Sequence, residues 1–225
     1  MIPDYDEKLT DGGLEAWTTA TNLTYWDESI GGTSSVNRES TTKHGGSYAA
    51  RLDIDAANSV AQIGQSFIVK PDCWYRASFW YLTAAGKSVC GFARVTIGGA
   101  YRFLQPDGTW KAYGAPFGLD YTGALVSTSW AQHVFFFKTP DEMDSPTLKF
   151  GMSSVSAASS SIYLDDASFR PYIPAAIERE VDPRIRVKEI EITGENMATR
   201  KPHIETIYKT KNEEFNISFI WKTPD

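Results

Sequence analysis

Ser161-Ile162-Tyr163-Leu164-Asp165-Asp166-Ala167-Ser168-Phe169 reads as a strand that carries a carboxylate where a core residue is expected. Alternate residues of a strand share a face. Tyr163, Asp165, Ala167 and Phe169 then fall on one side, and Ile162, Leu164, Asp166 and Ser168 on the other. With the Tyr163/Ala167/Phe169 side turned inward, Asp165 points into a core. A carboxylate there must be paired, hydrogen-bonded or bound to a metal. Backbone N–H groups or the Lys43 ammonium would serve as well as a metal. Asp166, on the opposite side, reads as a solvated acid.

Outward from that strand, the chain is a succession of short apolar runs separated by Ser, Thr and Gly. Tyr48, Ala50, Leu52 and Ile54 alternate with polar residues, the mark of a half-buried strand. Trp74 to Leu82 is apolar on both faces, with Tyr75, Ala77, Phe79 and Tyr81 on one and Trp74, Arg76, Ser78, Trp80 and Leu82 on the other. Val89 to Ile97 returns after a turn near Gly86. Tyr101 to Trp110 reads as a hairpin about Asp107-Gly108. Trp130 to Lys138 and Thr147 to Met152 precede the strand quoted above. Helical periodicity is nearly absent. About nine strands over residues 9–170 define an all-β chain at the spacing of a β-sandwich.

Composition narrows the function classes. The chain has 225 residues, 42% of them hydrophobic and 13% aromatic, enough for a core. Net charge is −6 without a basic run, which argues against nucleic acid as the main partner. No apolar stretch is long enough for a membrane helix. The start, MIPDYDEKLT, lacks the basic and apolar regions of a signal peptide. Cys73 and Cys90 flank the turn near Gly86. If the two strands pair as a hairpin, Cys73 lies opposite residue 98 and Cys90 opposite residue 81, too far apart for a bridge. Two free thiols fit synthesis in a reducing compartment.

The character changes after Phe169. Arg170-Pro171-Tyr172-Ile173-Pro174 is a stiff exit, and 19 of the 50 residues from 176 to 225 are charged. Arg184 to Ile192, His203 to Lys209 and Phe215 to Lys222 alternate apolar and polar residues, as strands do. So few strands make a poor independent core. The expected division is a polar arm over residues 1–8, a sandwich over 9–170, a Pro-containing linker over 171–175, and a charged β tail over 176–225 for docking or oligomerisation.

The order of motifs resembles the jelly-roll carbohydrate-binding modules of families 4, 9 and 22. Gly12-Gly13-Leu14-Glu15 with Trp17 is similar to the opening Asn-Gly-Gly-Phe-Glu and its Trp. Trp26 is similar to the second aromatic. His44-Gly45-Gly46-Ser47-Tyr48 resembles the turn into the next strand, and Val69-Lys70-Pro71-Asp72 with Trp74 to Trp80 the long central strand. Trp130 with Phe135 and Phe137 resembles the penultimate strand, and Leu164-Asp165-Asp166-Ala167-Ser168 the closing one. The resemblance covers about 160 residues and stops near Pro171. Asp11 and Ala167 depart from the pattern, where Asn and Val are usual.

The resemblance implies a structural calcium. Glu15 and Asp165 would supply carboxylates, with carbonyls from Gly13 and from Lys43 or Ser47. Such oxygens are what calcium takes. It also implies a glycan laid across one sheet. Arg76 and Trp80 lie on the central strand's non-core face; Phe92 and Arg94 would join from the next strand, Gln132 and Phe136 from the Trp130 strand. Aromatic rings stack on sugars while polar groups bond the hydroxyls. A one-residue slip would exchange the two faces. The Tyr101/Phe103/Trp110/Tyr113 hairpin is a rival contact surface.

Catalytic signals are weak. His44, His133 and His203 fall in separate segments, and no nucleophile motif, zinc spacing or phosphate loop is present. Modules of this type that stand without a glycanase are familiar as phage head decoration, head fibre and tail accessory proteins. The expectation is therefore a non-enzymatic virion protein, made in the host cytoplasm. Its partners would be capsid or tail proteins, sister subunits, and cell-surface or environmental glycans. The alternative is a secreted carbohydrate-binding module of a polysaccharide-degrading system.

Overall fold

A computed structural model describes residues 6–55, 60–112, 124–154, 160–172, 202–204 and 219–221. The chain divides into two units, Met1–Glu178 and Arg179–Asp225. In the first, two antiparallel sheets are stacked as a jelly-roll β-sandwich. Short strands β1 (Trp17–Thr19) and β2 (Asn22–Leu23) pair apart from them.

Six strands form one sheet, in the order β10 (Trp110–Ala112), β9 (Ala100–Leu104), β8 (Val89–Ile97), β12 (Thr147–Ser154), β6 (Ala61–Ile68), β3 (Asp27–Ile30). Five form the other, in the order β11 (Ala131–Lys138), β7 (Trp74–Thr83), β13 (Ser160–Pro171), β5 (Ala49–Ile54), β4 (Ser35–Glu39). From β5 to β8, and again from β11 to β13, successive strands alternate between sheets, so each connection crosses the sandwich. This corrects the expected β7–β8 hairpin. The two strands lie in different layers, so Cys73 and Cys90 are not placed across one hairpin, and neither is in a disulfide. The β9–β10 hairpin does form, with Trp110 opposite Leu104 and Gly108 at φ 79° in its turn.

The core sits between the sheets. Tyr75, Ala77, Phe79 and Tyr81 of β7 point into it, as do Ala50, Leu52 and Ile54 of β5 and Leu148, Phe150 and Met152 of β12. Phe169 touches Phe67 (ring centroids 4.6 Å apart), Tyr75 (5.2 Å), Phe150 (5.6 Å) and Phe137 (5.8 Å), linking the two layers through aromatic contacts. His133 also turns inward, against Phe79 and Phe135, and burial pushes its pKa down.

Strand β13 departs from plain alternation. Ile162, Leu164, Ala167 and Phe169 are all buried core residues, so the inward phase jumps from even to odd numbers. The pairing with β7 runs Asp165 to Trp80 and resumes with Ser168 to Ser78, so that Asp166 and Ala167 oppose Phe79 alone and one extra residue forms a bulge. Asp166 sits in it at φ 44°. Tyr163 and Asp165 therefore face away from the core, which corrects the expectation that they share a side with Ala167 and Phe169.

The bulge is held from both sides. The Asp166 N–H donates to its neighbour's carboxylate, Asp165 Oδ1 (2.8 Å), and the Ala167 N–H donates to the Gly12 carbonyl (2.8 Å). A Cβ at position 12 would strike the Ala167 carbonyl oxygen, so only glycine lets the chains approach. Beyond the bulge Glu7 accepts from Ser168 Oγ (2.6 Å), the Phe169 N–H (2.7 Å) and Arg170 Nε (3.0 Å). The Lys8 N–H donates to the Phe169 carbonyl (2.9 Å), so the end of the N-terminal arm lies along β13.

In the second unit, β14 (Pro202–Ile204) pairs with β15 (Phe219–Trp221), antiparallel, with His203 opposite Ile220. This pair is the C-terminal β extension. The strand expected over Arg184 to Ile192 lies outside the described residues, as does Tyr113.

Candidate functional site

The outer face of the five-stranded sheet collects most of the residues singled out above. Register places Gln132 beside Trp80 and Phe136 beside Arg76. On the other side of β7, Asp165 lies beside Trp80 and Arg170 beside Arg76. The face therefore reads in rows: Gln132–Trp80–Asp165, then Phe136–Arg76–Arg170, with β11, β7 and β13 each giving one residue.

Phe92 and Arg94 do not join it. Their strand β8 belongs to the other layer, because the β7–β8 link crosses the sandwich. Phe92 is 3% exposed and lies over Gly151, and Arg94 stacks on the Tyr101 ring at 4.0 Å. Of the rival hairpin, Tyr101 is open to solvent, Phe103 is buried, and Trp110 is anchored by its indole N–H to the Lys138 carbonyl (3.1 Å).

The row Gln132–Trp80–Asp165 is roofed by the turn before β5. Asp165 is 1% exposed although it faces outward, because residues 44–45 lie on it. Its Oδ2 accepts the N–H groups of His44 (2.8 Å) and Gly45 (3.0 Å). Burial raises its pKa; the bonds from Gly45 and His44 oppose that, and the charge of Asp166 adds to it. The His44 ring stacks on Trp80, with centroids 3.7 Å apart and planes 16° from parallel, and meets Trp130 edge-on at 5.7 Å. His44 Nδ1 lies 2.7 Å from Asp166 Oδ2. A carboxylate only accepts, so Nδ1 carries the hydrogen. Asp166 is thus bound rather than freely solvated. One face of Trp80 is covered, and no sugar ring can stack there while His44 stays in place.

The far end of the turn hangs on Glu15, which accepts the N–H groups of Ser47 (2.8 Å) and Tyr48 (3.2 Å and 3.3 Å to its two oxygens). Glu15 and Asp165 grip the two ends of one turn, 15 residues from the chain start and 60 from its end. A carboxylate has roughly four acceptor directions. Each of these has at least one left by its backbone bonds, a hard oxygen of the kind calcium takes. Gly13 adjoins both Glu15 and Asp166. The Ser47 carbonyl is engaged by Lys43 Nζ (3.4 Å), which also donates to the Ser40 carbonyl (3.2 Å). Among the described residues, no three His, Cys, Asp or Glu side chains converge as metal ligands.

The end of the face at Phe136 and Trp74 is open. Phe136 is 42% and Trp74 36% exposed. The Phe136 ring meets Tyr172 with centroids 4.5 Å apart, tilted by 50°. The Tyr172 N–H donates to the Trp74 carbonyl (2.9 Å), which prolongs the β13–β7 pairing and holds the second ring in position. Tyr172 was hidden in the sequence as part of a Pro-flanked exit. The signal for it is the register: three residues past the aromatic Phe169, it reaches the row of Trp74.

Neither a protein-family model nor a curated protein matches the sequence. Solved structures do match the fold. The CBM22-1 xylan-binding domain of Paenibacillus barcinonensis Xyn10C is similar with a TM-score of 0.51 and 14% identity, over 76% of this chain and 97% of that one. The CBM22-1–CBM22-2 tandem domain from the same protein is similar at 0.51 and 14%, over 75% of this chain and 47% of that one. The enzymatically active domain of tailspike protein 4 from bacteriophage CBA120 is similar at 0.51 and 12%, over 74% of this chain. There the match occupies only 21% of the tailspike chain. The fold is that of a carbohydrate-binding-module-type β-sandwich. No helix among the described residues is long and apolar enough to cross a membrane.

Proposed function

We propose that the chain is a non-enzymatic glycan-binding protein whose site is the outer face of the five-stranded sheet. The carrying observation is the contact of the exposed Phe136 with the half-buried Tyr172 beside Arg76. Two rings fixed on a rigid sheet offer flat apolar surface at little entropic cost, and a guanidinium beside them supplies directional donors. Gln132 lies four residues along the same strand from Phe136, roughly 13 Å away. The face therefore suits an oligosaccharide rather than a single sugar. Retention of the full chain on immobilised polysaccharides tests this. Phe136→Ala should lose retention while the melting temperature stays near that of the parent; equal retention would remove the reading.

We further propose that this protein is carried on a phage particle as a decoration, fibre or tail accessory protein. The tailspike likeness and the charged segment 176–225 support this, the latter as the element that docks to capsid or tail proteins or to sister subunits. Cryo-electron microscopy of particles tests it. The alternative, a module of a polysaccharide-degrading system, is favoured by the near-complete span of the xylan-binding domain. A structural calcium at Glu15 and Asp165, with carbonyls of Gly13 and of Lys43 or Ser47, belongs to either reading.

A further inference from the structure

We propose that the glycan bound at the Phe136–Tyr172 pair is acidic, and that Arg76 receives its carboxylate. This inference rests on the reading of that face as a glycan site. The two guanidiniums of the row Phe136–Arg76–Arg170 have different partners. Arg170 is neutralised by Glu7 at 3.0 Å. For Arg76 the described residues offer a single partner, the neutral hydroxyl of Ser78, to which Nη1 donates at 3.3 Å. No described carboxylate lies within ion-pairing reach of it, whereas Arg51 of the same sheet holds both Glu39 and Asp53 at 3.0 Å.

Arg76 is half-buried between β11 and β13, so its charge is less well hydrated than that of a surface arginine. A guanidinium has five donors in a planar fork, matched to a carboxylate. One donor is used, and the others have no described acceptor; Phe136 is the register neighbour of Arg76 and stacks with Tyr172. A sugar acid has the two complementary parts, an apolar ring face for stacking and a carboxylate for the fork. The chain as a whole carries −6, so its overall field repels an acidic polymer. A preference for acid must then come from this local group.

The test uses the full chain and four acidic polysaccharides, namely polygalacturonate, alginate, hyaluronan and polysialic acid, each paired with its carboxyl-reduced form, together with neutral xylan and galactan. Affinity electrophoresis or calorimetry gives the affinities. The expected result is that at least one acidic polymer binds, at least tenfold more tightly than its reduced form. Arg76→Gln should abolish that difference by weakening binding of the acidic form at least tenfold more than binding of the reduced form, and Tyr172→Ala should weaken both alike. Melting curves of the variants guard against misfolding, and Arg76→Lys, which keeps the charge but not the fork, should recover part of the difference. Equal affinity for acidic and reduced forms, or binding of neutral polymers alone, overturns the inference and leaves the glycan reading standing. Absence of binding to every polymer removes both.

Discussion

The imidazole of His44 lies flat on the indole of Trp80, 3.7 Å between centroids, and its Nδ1 is held by Asp166 on the neighbouring strand. The contact joins a turn, a central strand and a bulge. It converts the most obvious sugar-stacking residue of the sequence into part of the scaffold.

Trp80→Ala should therefore cost stability. Removing a half-buried indole that seats a loop is expected to cost about 2 kcal/mol, less than for a fully buried Trp. In a double-mutant cycle with His44→Ala, the two residues should show a coupling of about 1 kcal/mol, the size of an aromatic pair. Urea denaturation of the four proteins measures it, and additive losses would contradict the stacking.

Asp165 and Glu7 should give opposite pH signatures. Burial raises the Asp165 pKa above its ordinary 3.8, so the folded state binds more protons than the unfolded one just above that pH. Stability then falls as pH rises from about 3.8 through the folded pKa. Burial also pushes Glu7 up, but the bonds from Ser168, Phe169, Arg170 and Leu9 outweigh it and leave it below its ordinary 4.5. Its stabilisation is present above 4.5 and lost on acidification through the folded pKa. The deficit of Asp165→Asn should narrow as pH rises through its window, because only the parent bears the cost of ionising a buried acid. The deficit of Glu7→Gln should widen towards pH 4.5. Denaturation series between pH 3 and 7 separate the two, and parallel curves would refute the assignment.

Gly46→Ala should be costly for two reasons at once. Gly46 has φ 52°, and a Cβ there would run into Glu15 Oε1. Left-handed strain alone costs of order 1 kcal/mol. Displacing Glu15 from the Ser47 and Tyr48 N–H groups adds roughly 1–3 kcal/mol. Gly98→Ala, at φ 61° in open space, should show the first cost alone. Similar thermal shifts for both would mean that Glu15 does not hold the turn.

Calcium binding at Glu15 and Asp165 predicts chelator-sensitive stability. At a hundredfold excess over its dissociation constant, calcium would add about 2.7 kcal/mol. Adding EDTA to protein prepared in calcium should lower the melting temperature, and Glu15→Gln should erase the effect. A melting curve unmoved by EDTA would rule the ion out.

Part of the face was legible in the sequence. The alternation of β7 and β11 placed Arg76 and Trp80, and Gln132 and Phe136, on non-core sides, because a side-chain period of two is local to each strand. Phe92 and Arg94 were misplaced because their strand's layer depends on whether the link after Thr83 turns back or crosses over. Short polar links at 84–88 permit either. The jump from Ile162 and Leu164 to Ala167 and Phe169 was itself a mark of one inserted residue, and would have revealed the bulge.

What the sequence determined by itself is the all-β class, the strand positions and most inward-facing sets, since these follow from residue periodicity and turn chemistry along a few neighbouring residues. Tertiary structure decided the rest. The bulge at Asp166–Ala167 is held because Gly12 and residues 44–45, more than a hundred residues away, bond to it and to the adjoining Asp165. The same long-range turn closes Trp80, and the exit strand brings Tyr172 to Phe136. Which aromatic rings stay open was therefore settled by packing between distant segments, and no local pattern records it.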